Sequence, residues 1–326
     1  MLHTKKIAGW LAAFALTGLS AAAPVLAETP LKMAYALSEN SHYGAGAAAF
    51  AQALEASKSD FKVQQFPNSQ LGGEREVIEG LQLGTIDMAI VSTGATLNFV
   101  PQTGVFDIPF LFRDLDHARK VLDGKIGQDM LAAFPERGLV ALAWGEQGFR
   151  HLTNNIRPVK EPADIKGLKI RTTENPIHIA AFRELGVLAT PMAWPEVATA
   201  LQQGTIDGQE NPLSVIVSVK MWQLQKYLSL TAHVYAPALI LISPSVYDGL
   251  SDADKAKLKE AALAGAQAMR QFVDKVEKDG LETLKENGMQ VNTVDHAAFV
   301  KAVQPVYPQY YKQFGQELVE SIQNTQ

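Results

Sequence analysis

The chain reads as an α/β protein of two lobes, on three observations. Short apolar strands alternate with helical stretches, one helix-to-strand motif occurs twice, and a single long helix follows. The alternation begins with Leu31 to Leu37, Phe61 to Phe66 and Ile86 to Val91 as strands, separated by helical periodicity at Tyr43 to Ser57 and Glu74 to Gln82. Strands spaced by helices predict βαβ units and a largely parallel sheet. A second series places strands at Leu168 to Arg171 and Val187 to Thr190 around a helix from Pro176 to Leu185, with Pro in the first turn, where no N–H is required.

The repeated motif is Glu76-Val77-Ile78-Glu79-Gly80-Leu81-Gln82-Leu83-Gly84-Thr85-Ile86-Asp87. It returns 120 residues later as Glu196-Val197-Ala198-Thr199-Ala200-Leu201-Gln202-Gln203-Gly204-Thr205-Ile206-Asp207, identical at eight of twelve positions. Each copy reads as a helix closed by a left-handed glycine, with the β-branched Thr-Ile pair opening a strand. Either a shared local solution or two lobes built alike explains the echo. Between the two series, Trp144 to Pro158 is polar and glycine-bearing, and a first crossover between lobes is expected there.

From Ser251 to Asn287 the pattern is helical almost without a break, with Ser251 as the cap and Asp254 three residues on. At ~1.5 Å per residue such a helix is about 50 Å long, more than the width of one lobe, so it should run along both. Gly265 and Gly280 are the points at which it could bend. The expected division is residues 28–148 with 237–276 in lobe I, and 149–236 with 277–326 in lobe II.

With 326 residues, 47% hydrophobic and 19% charged, the chain can bury a sizeable core. A formal charge of −5 spread along the whole length leaves no basic footprint for nucleic acid. The absence of cysteine excludes disulfides, thiolate metal sites and cysteine nucleophiles. Residues 1–27 have the plan of a secretory signal: Lys5 and Lys6, an apolar run from Ile7 to Ala23, and small residues Val25 and Ala27 before the expected cleavage. Export to the periplasm follows.

Gly44-Ala45-Gly46-Ala47-Ala48-Ala49 fits a loose dinucleotide fingerprint, but six residues separate it from the preceding strand, whereas a pyrophosphate site needs the turn at the strand end. Small residues in a tightly packed helix account for it better. The histidines at 42, 117, 151, 178, 233 and 296 form no i, i+4 pair, and no serine lies in a G-x-S-x-G run. No catalytic, metal or cofactor site is expected. Arg171 stands apart, because it closes an apolar strand just before a helix opening at Glu174-Asn175-Pro176, a position suited to an anion. Taken alone, it fits a carboxylate-binding group or a structural ion pair.

Gly167-Leu168-Lys169-Ile170-Arg171, Thr190-Pro191-Met192-Ala193-Trp194-Pro195-Glu196-Val197 and the run Ala200 to Pro212 ending in Asp207-Gly208-Gln209-Glu210-Asn211-Pro212 together closely resemble a family signature. The family is the solute-binding subunits of tripartite ATP-independent periplasmic (TRAP) transporters, dicarboxylate-binding (DctP) type. Asn68-Ser69-Gln70-Leu71-Gly72-Gly73-Glu74-Arg75 and Gly148-Phe149-Arg150 are similar to further motifs of that family, and the resemblance runs from about Leu31 to Tyr310.

The resemblance implies two α/β lobes, each a mixed sheet flanked by helices, closing on a small-molecule carboxylate that is passed to the membrane permease subunits. It implies no catalysis and no cofactor, and a monomer is expected. By position, Arg171 matches the arginine that pairs with the ligand carboxylate, Asn211 helps to hold the same group, and Arg150 is a second arginine of the site or its hinge. Trp194 matches an aromatic platform, Ser92 and Thr93 contacts from the first lobe, Glu74 a polar lining position, and Glu174 a selectivity position. Glu210 and Asp207 are read as structural. A dicarboxylate or hydroxylated acid ranks above the zwitterion ectoine, because Leu213 and Ser214 stand where the ectoine branch carries aromatics. An exported enzyme acting on a carboxylic acid is the rival reading.

Overall fold

The computed structural model describes residues 29–326, so the signal segment expected over residues 1–27 lies outside the described residues. Nine strands, β1 (Thr29–Tyr35), β2 (Phe61–Phe66), β3 (Met88–Ser92), β4 (Val140–Asn154), β5 (Lys169–Thr172), β6 (Leu188–Pro191), β7 (Gly208–Pro212), β8 (Tyr227–Ile242) and β9 (Gln290–Thr293), join in one sheet. Its order is β2-β1-β3-β8-β4-β7-β5-β6, with β9 also paired to β8. At one end β1 runs parallel between β2 and β3, and at the other β5 runs parallel between β6 and β7. The two parallel groups are the two βαβ series expected from the alternation.

What joins them is an antiparallel pair, β4 and β8, of 15 and 16 residues. Val140 opposes Ile242, which also pairs with Met88 of β3, while Asn154 opposes Tyr227 and pairs with Gly208 of β7. Both strands therefore belong to both groups. The stretch Trp144 to Pro158, where a crossover is expected, is a strand through Asn154. Its polar side chains are buried and partnered: Arg119 holds Glu146 at 2.7 and 2.9 Å, and Gln209 donates to Thr153 Oγ1 at 2.8 Å. Register breaks lie between Glu146 and Gly148 and between Arg150 and Leu152, and Gly148 takes φ +103°, which an L side chain rarely adopts.

The two motif copies fold alike. Gly84 and Gly204 have φ of 73° and 68°, and Thr85 and Thr205 donate back to the carbonyls of Gly80 and Ala200 at 2.9 and 3.0 Å. The Thr-Ile pair does not open the strand in either copy. It lies in the connection, with Ile86 and Ile206 buried, and the strand starts after the aspartate. The reason is that Asp87 and Asp207 each accept a backbone N–H from the neighbouring parallel strand, Lys32 and Lys169, at 2.8 Å.

The long helix spans Asp252–Glu286, 35 residues unbroken at Gly265 and Gly280, with Ser251 Oγ accepting from Asp254 N at 3.1 Å. The helix His42–Ala56 packs along it. A Cβ on Gly46 would come within 2.7 Å of Met269 Cγ, and one on Gly265 within 2.8 Å of the Gly46 carbonyl, so the run of small residues permits close helix contact. One face of the sheet is covered around Met33, Phe50, Ile90, Ile240 and Met269, and the other around Val77, Phe106, Trp144, Tyr235 and Leu241. The C-terminal helices fasten both groups: Tyr310 donates to Ile177 O at 3.1 Å and Tyr307 to Pro109 O at 2.5 Å.

Candidate functional site

The carboxyl ends of β3, β5 and β7 converge on the middle of β4, where an open α/β sheet presents its crevice. Two adjoining cavities of about 50 Å³ each lie there, with Glu74, Arg171, Thr173 and Trp194 in the walls of both. Ser92, Gln147, Arg150, Asn211, Tyr43 and Val215 also line the inner cavity, and Arg75, Glu76, Gly94, Asn98 and Glu174 the outer one.

Arg171 is the penultimate residue of β5 and is buried, at 4% exposure. Its Nε and Nη2 both donate to the Met192 carbonyl, at 3.0 and 2.7 Å, and its guanidinium lies 5.8 Å from the Trp194 ring centroid. These contacts orient the group without neutralising it. Among the described residues Arg171 makes no ion pair, and burial pulls its pKa down to about 10, so it stays charged at neutral pH.

Arg150 is the opposite case. It forms a buried ion pair with Glu210 through Nε and Nη2 and also donates to Asn211 Oδ1 at 3.2 Å. Burial alone would raise the Glu210 carboxyl. Arg150 and the His233 ring nitrogen, 3.1 Å away, overcome that and hold it well below the usual carboxylate range. Glu210 thus pairs directly with one arginine of the cleft and acts on the other only through its field, leaving the Arg171 donors without a carboxylate partner. Asn211 donates through Nδ2 to Gln209 Oε1, which sets its amide orientation.

Glu74 opens the helix Glu74–Leu83 and faces Arg171 across the cleft. Its carboxyl accepts Ser92 Oγ at 2.5 Å, Ser92 N at 2.8 Å and Tyr43 Oη at 3.3 Å. Burial raises its pKa, and these donors offset part of the rise. Glu174 is exposed at the rim, where its backbone carbonyl accepts Asn98 Nδ2 at 3.2 Å from the other side of the cleft.

Seven of the eight expected site residues, Arg171, Asn211, Arg150, Trp194, Ser92, Glu74 and Glu174, line the two cavities. Thr93 does not: fully buried, its hydroxyl donates to Asp107 at 2.9 Å, behind the wall. Tyr43, Gln147, Thr173 and Val215 line the inner cavity without having been singled out. Of these, Thr173 carried a usable signal, two residues beyond Arg171 in the same turn. Among the described residues no group of histidine and acid side chains forms a metal site, and no helix is long and apolar enough to cross a membrane.

Two α/β groups joined by long shared strands, with a buried unpaired arginine in the crevice between them, define a two-lobed binding protein for small anions. The chain belongs to the bacterial extracellular solute-binding protein family 7 (DctP), whose model matches residues 33–313. It is 50% identical over 306 residues to a solute-binding protein of Verminephrobacter eiseniae, covering 93% of this chain and 91% of that one. It is 40% identical over 299 residues to the 2,3-diketo-L-gulonate-binding periplasmic protein YiaO of Escherichia coli, covering 91% and 89%. Among solved structures, a TRAP periplasmic solute-binding protein from Bordetella, with density interpreted as pantoate, matches at TM-score 0.90 and 72% identity, covering 91% of this chain and 99% of that one. One from Polaromonas sp. JS666 bound to D-erythronate matches at TM-score 0.90 and 51% identity, covering 92% and 99%.

Proposed function

We propose that this protein is the periplasmic receptor of a TRAP transporter, capturing a short hydroxylated monocarboxylate between Arg171 and Asn211 and handing it to the membrane permease. The observation that carries the reading is Arg171, a buried, oriented cation with no anion of its own, on a cavity wall. Its remaining donors suit a carboxylate. Trp194 would form a flat wall against the ligand, and Glu74 with Ser92 would receive hydroxyls at the far side.

Charge narrows the ligand. D-erythronate and pantoate, the molecules named for two relatives, are short hydroxylated monocarboxylates. The outer cavity is ringed by Glu74, Glu76 and Glu174, and its further cation, Arg75, is paired with Glu79 at 3.2 Å. A second ligand carboxylate would meet like charge there, which disfavours dicarboxylates.

The lobes proposed are residues 28–148 with 237–276 and 149–236 with 277–326, meeting where β4 and β8 pass from one parallel group to the other. Closure follows if the ligand touches both lobes only when they approach. An exported and cleaved N-terminus at Ala27 and a monomeric receptor without catalytic activity belong to the same proposal.

Calorimetric titration with pantoate, D-erythronate, succinate and ectoine tests it. The hydroxylated monocarboxylates should bind at least tenfold more tightly than succinate or ectoine. A preference for succinate would move the second carboxylate into the outer cavity and refute the charge argument. Turnover of any of the four would favour an enzyme.

A further inference from the structure

Behind the cleft wall a chain of side chains connects the two sides of the site. Thr173 Oγ1, in the wall of both cavities, lies 3.2 Å from His178 Nδ1. The other ring nitrogen, Nε2, lies 3.7 Å from Asp107 Oδ1, and that oxygen accepts the Thr93 hydroxyl at 2.9 Å. His178 and Asp107 are 2% and 1% exposed, and among the described residues His178 Nε2 and Asp107 Oδ2 have no hydrogen-bond partner. A separation of 3.7 Å is too long for a hydrogen bond, so the ring is committed neither to offering a proton there nor to receiving one.

The geometry points to Asp107 and His178 as a switch that decides whether the Thr173 hydroxyl donates or accepts in the cleft, making them specificity-determining residues that never touch the ligand. A neutral imidazole carries one N–H. With Asp107 ionised, that hydrogen sits on Nε2 facing the carboxylate. Nδ1 is then an acceptor, the Thr173 hydroxyl donates to it, and only oxygen lone pairs face the cavity. With Asp107 protonated, the pair closes the 3.7 Å gap by several tenths of an ångström, its O–H donates to Nε2 and the ring hydrogen moves to Nδ1. Thr173 Oγ1 accepts from Nδ1, and its own hydrogen turns to the ligand. One proton enters at Asp107, and the ring changes tautomer without changing charge.

Burial pushes the Asp107 carboxyl up to about 7, with the Thr93 hydroxyl offsetting part of the rise, and pushes His178 down to about 3. Near neutral pH the carboxyl titrates while the ring remains neutral. The charged groups facing the pair are Arg150 of β4 and Glu210 of β7, which compensate each other, and Arg171 of β5 and His233 of β8 also face the ring. Asn175, which caps the His178 helix, faces Asp107.

A ligand hydroxyl serves either state, because it both donates and accepts, whereas a keto oxygen only accepts and suits the protonated state. The inference rests on the proposed ligand class for its selectivity but not for its ring chemistry, so two measurements separate the two. The first is nitrogen NMR of the histidine rings in the ligand-free protein. His178 should pass from the Nδ1–H to the Nε2–H tautomer between pH 5.5 and 8.5, with a midpoint near 7, and an unchanged tautomer overturns the switch. The second is the affinity of 2-oxobutyrate relative to D-erythronate, expected to fall about 3- to 10-fold between pH 6 and 8.5, the weight of one hydrogen bond. Asp107→Asn should make that ratio independent of pH. A flat ratio in the unaltered protein, or a slope that persists in Asp107→Asn, refutes the assignment. Failure of both acids to bind counts against the ligand class, and the tautomer measurement still decides the switch.

Discussion

Replacing Arg171 with lysine should cost the protein most of its affinity while leaving the fold in place. The guanidinium uses Nε and Nη2 on the Met192 carbonyl, at 3.0 and 2.7 Å, and lies 5.8 Å from the Trp194 ring centroid. It can therefore be anchored and grip a carboxylate at once, because its donors point in fixed, divergent directions. A lysine ammonium keeps the charge but has a single donor atom, which must choose between Met192 and the ligand. Losing a bidentate, charge-assisted contact in a water-poor cleft costs about 2–4 kcal/mol, a ~30- to 1000-fold rise in Kd. Calorimetry with D-erythronate or pantoate reads the affinity, and the melting temperature of the ligand-free variant checks the fold. A Kd within threefold of the original, in a variant that melts normally, would show that the carboxylate is held elsewhere and would refute the argument from the unpaired arginine.

Glu174→Gln should re-rank ligands by admitting succinate, since one of the three carboxylates around the outer cavity is removed; an unchanged order in the same calorimetric panel places Glu174 outside ligand reach. Glu210→Gln leaves Arg150 buried without its counter-charge and should destabilise the protein by about 3–5 kcal/mol, read as a lowered denaturant midpoint. Because the folded pKa of Glu210 lies below its unfolded value, its stabilisation is present above the ordinary carboxylate range and is lost as pH falls through and below about 4. The gap between the two proteins should therefore narrow in acid. Small-angle scattering should give a radius of gyration smaller by order 1 Å or less with ligand, on the roughly 20 Å expected for this chain length; equal radii at saturation would contradict closure.

Much of this molecule was legible in its sequence because the signals were local. The long helix announced its own cap at Ser251, and the two motif copies announced matching glycine turns. The strand character of the stretch after Trp144, where only a crossover is expected, is the part least legible. Glu146, Arg150 and Thr153 look solvent-seeking one by one, but each is buried against a partner distant in sequence, and Asn154 is buried while it caps the turn that follows through Ile156 and Arg157. Polarity marks a loop only where water supplies the hydrogen bonds. The site divides in the same way. Arg171, Trp194 and Asn211 stood in recognisable motifs. Tyr43, Gln147 and Val215 become wall residues only when separate segments meet, and nothing in their neighbourhoods marks them. Thr93 was misplaced by one side-chain direction, since Ser92 and Thr93 are adjacent and face opposite ways.

The two shared strands would give the proposed hinge an unusual constraint. Lobes tethered by loops can gain or lose a residue at the tether, and evolution can retune reach and swing by adjusting tether length. Here the tether is β4 and β8 themselves, with side chains alternating between opposite faces. One residue inserted at Gly148, unless absorbed in a bulge, would turn the following side chains of β4 over and send Arg150 away from Glu210; one at Ala236 would do the same to the rest of β8. The spacing of the two parallel groups is thus tied to strand register, and a change of length there needs a bulge to absorb it, whereas a change in the cleft wall needs only one side chain.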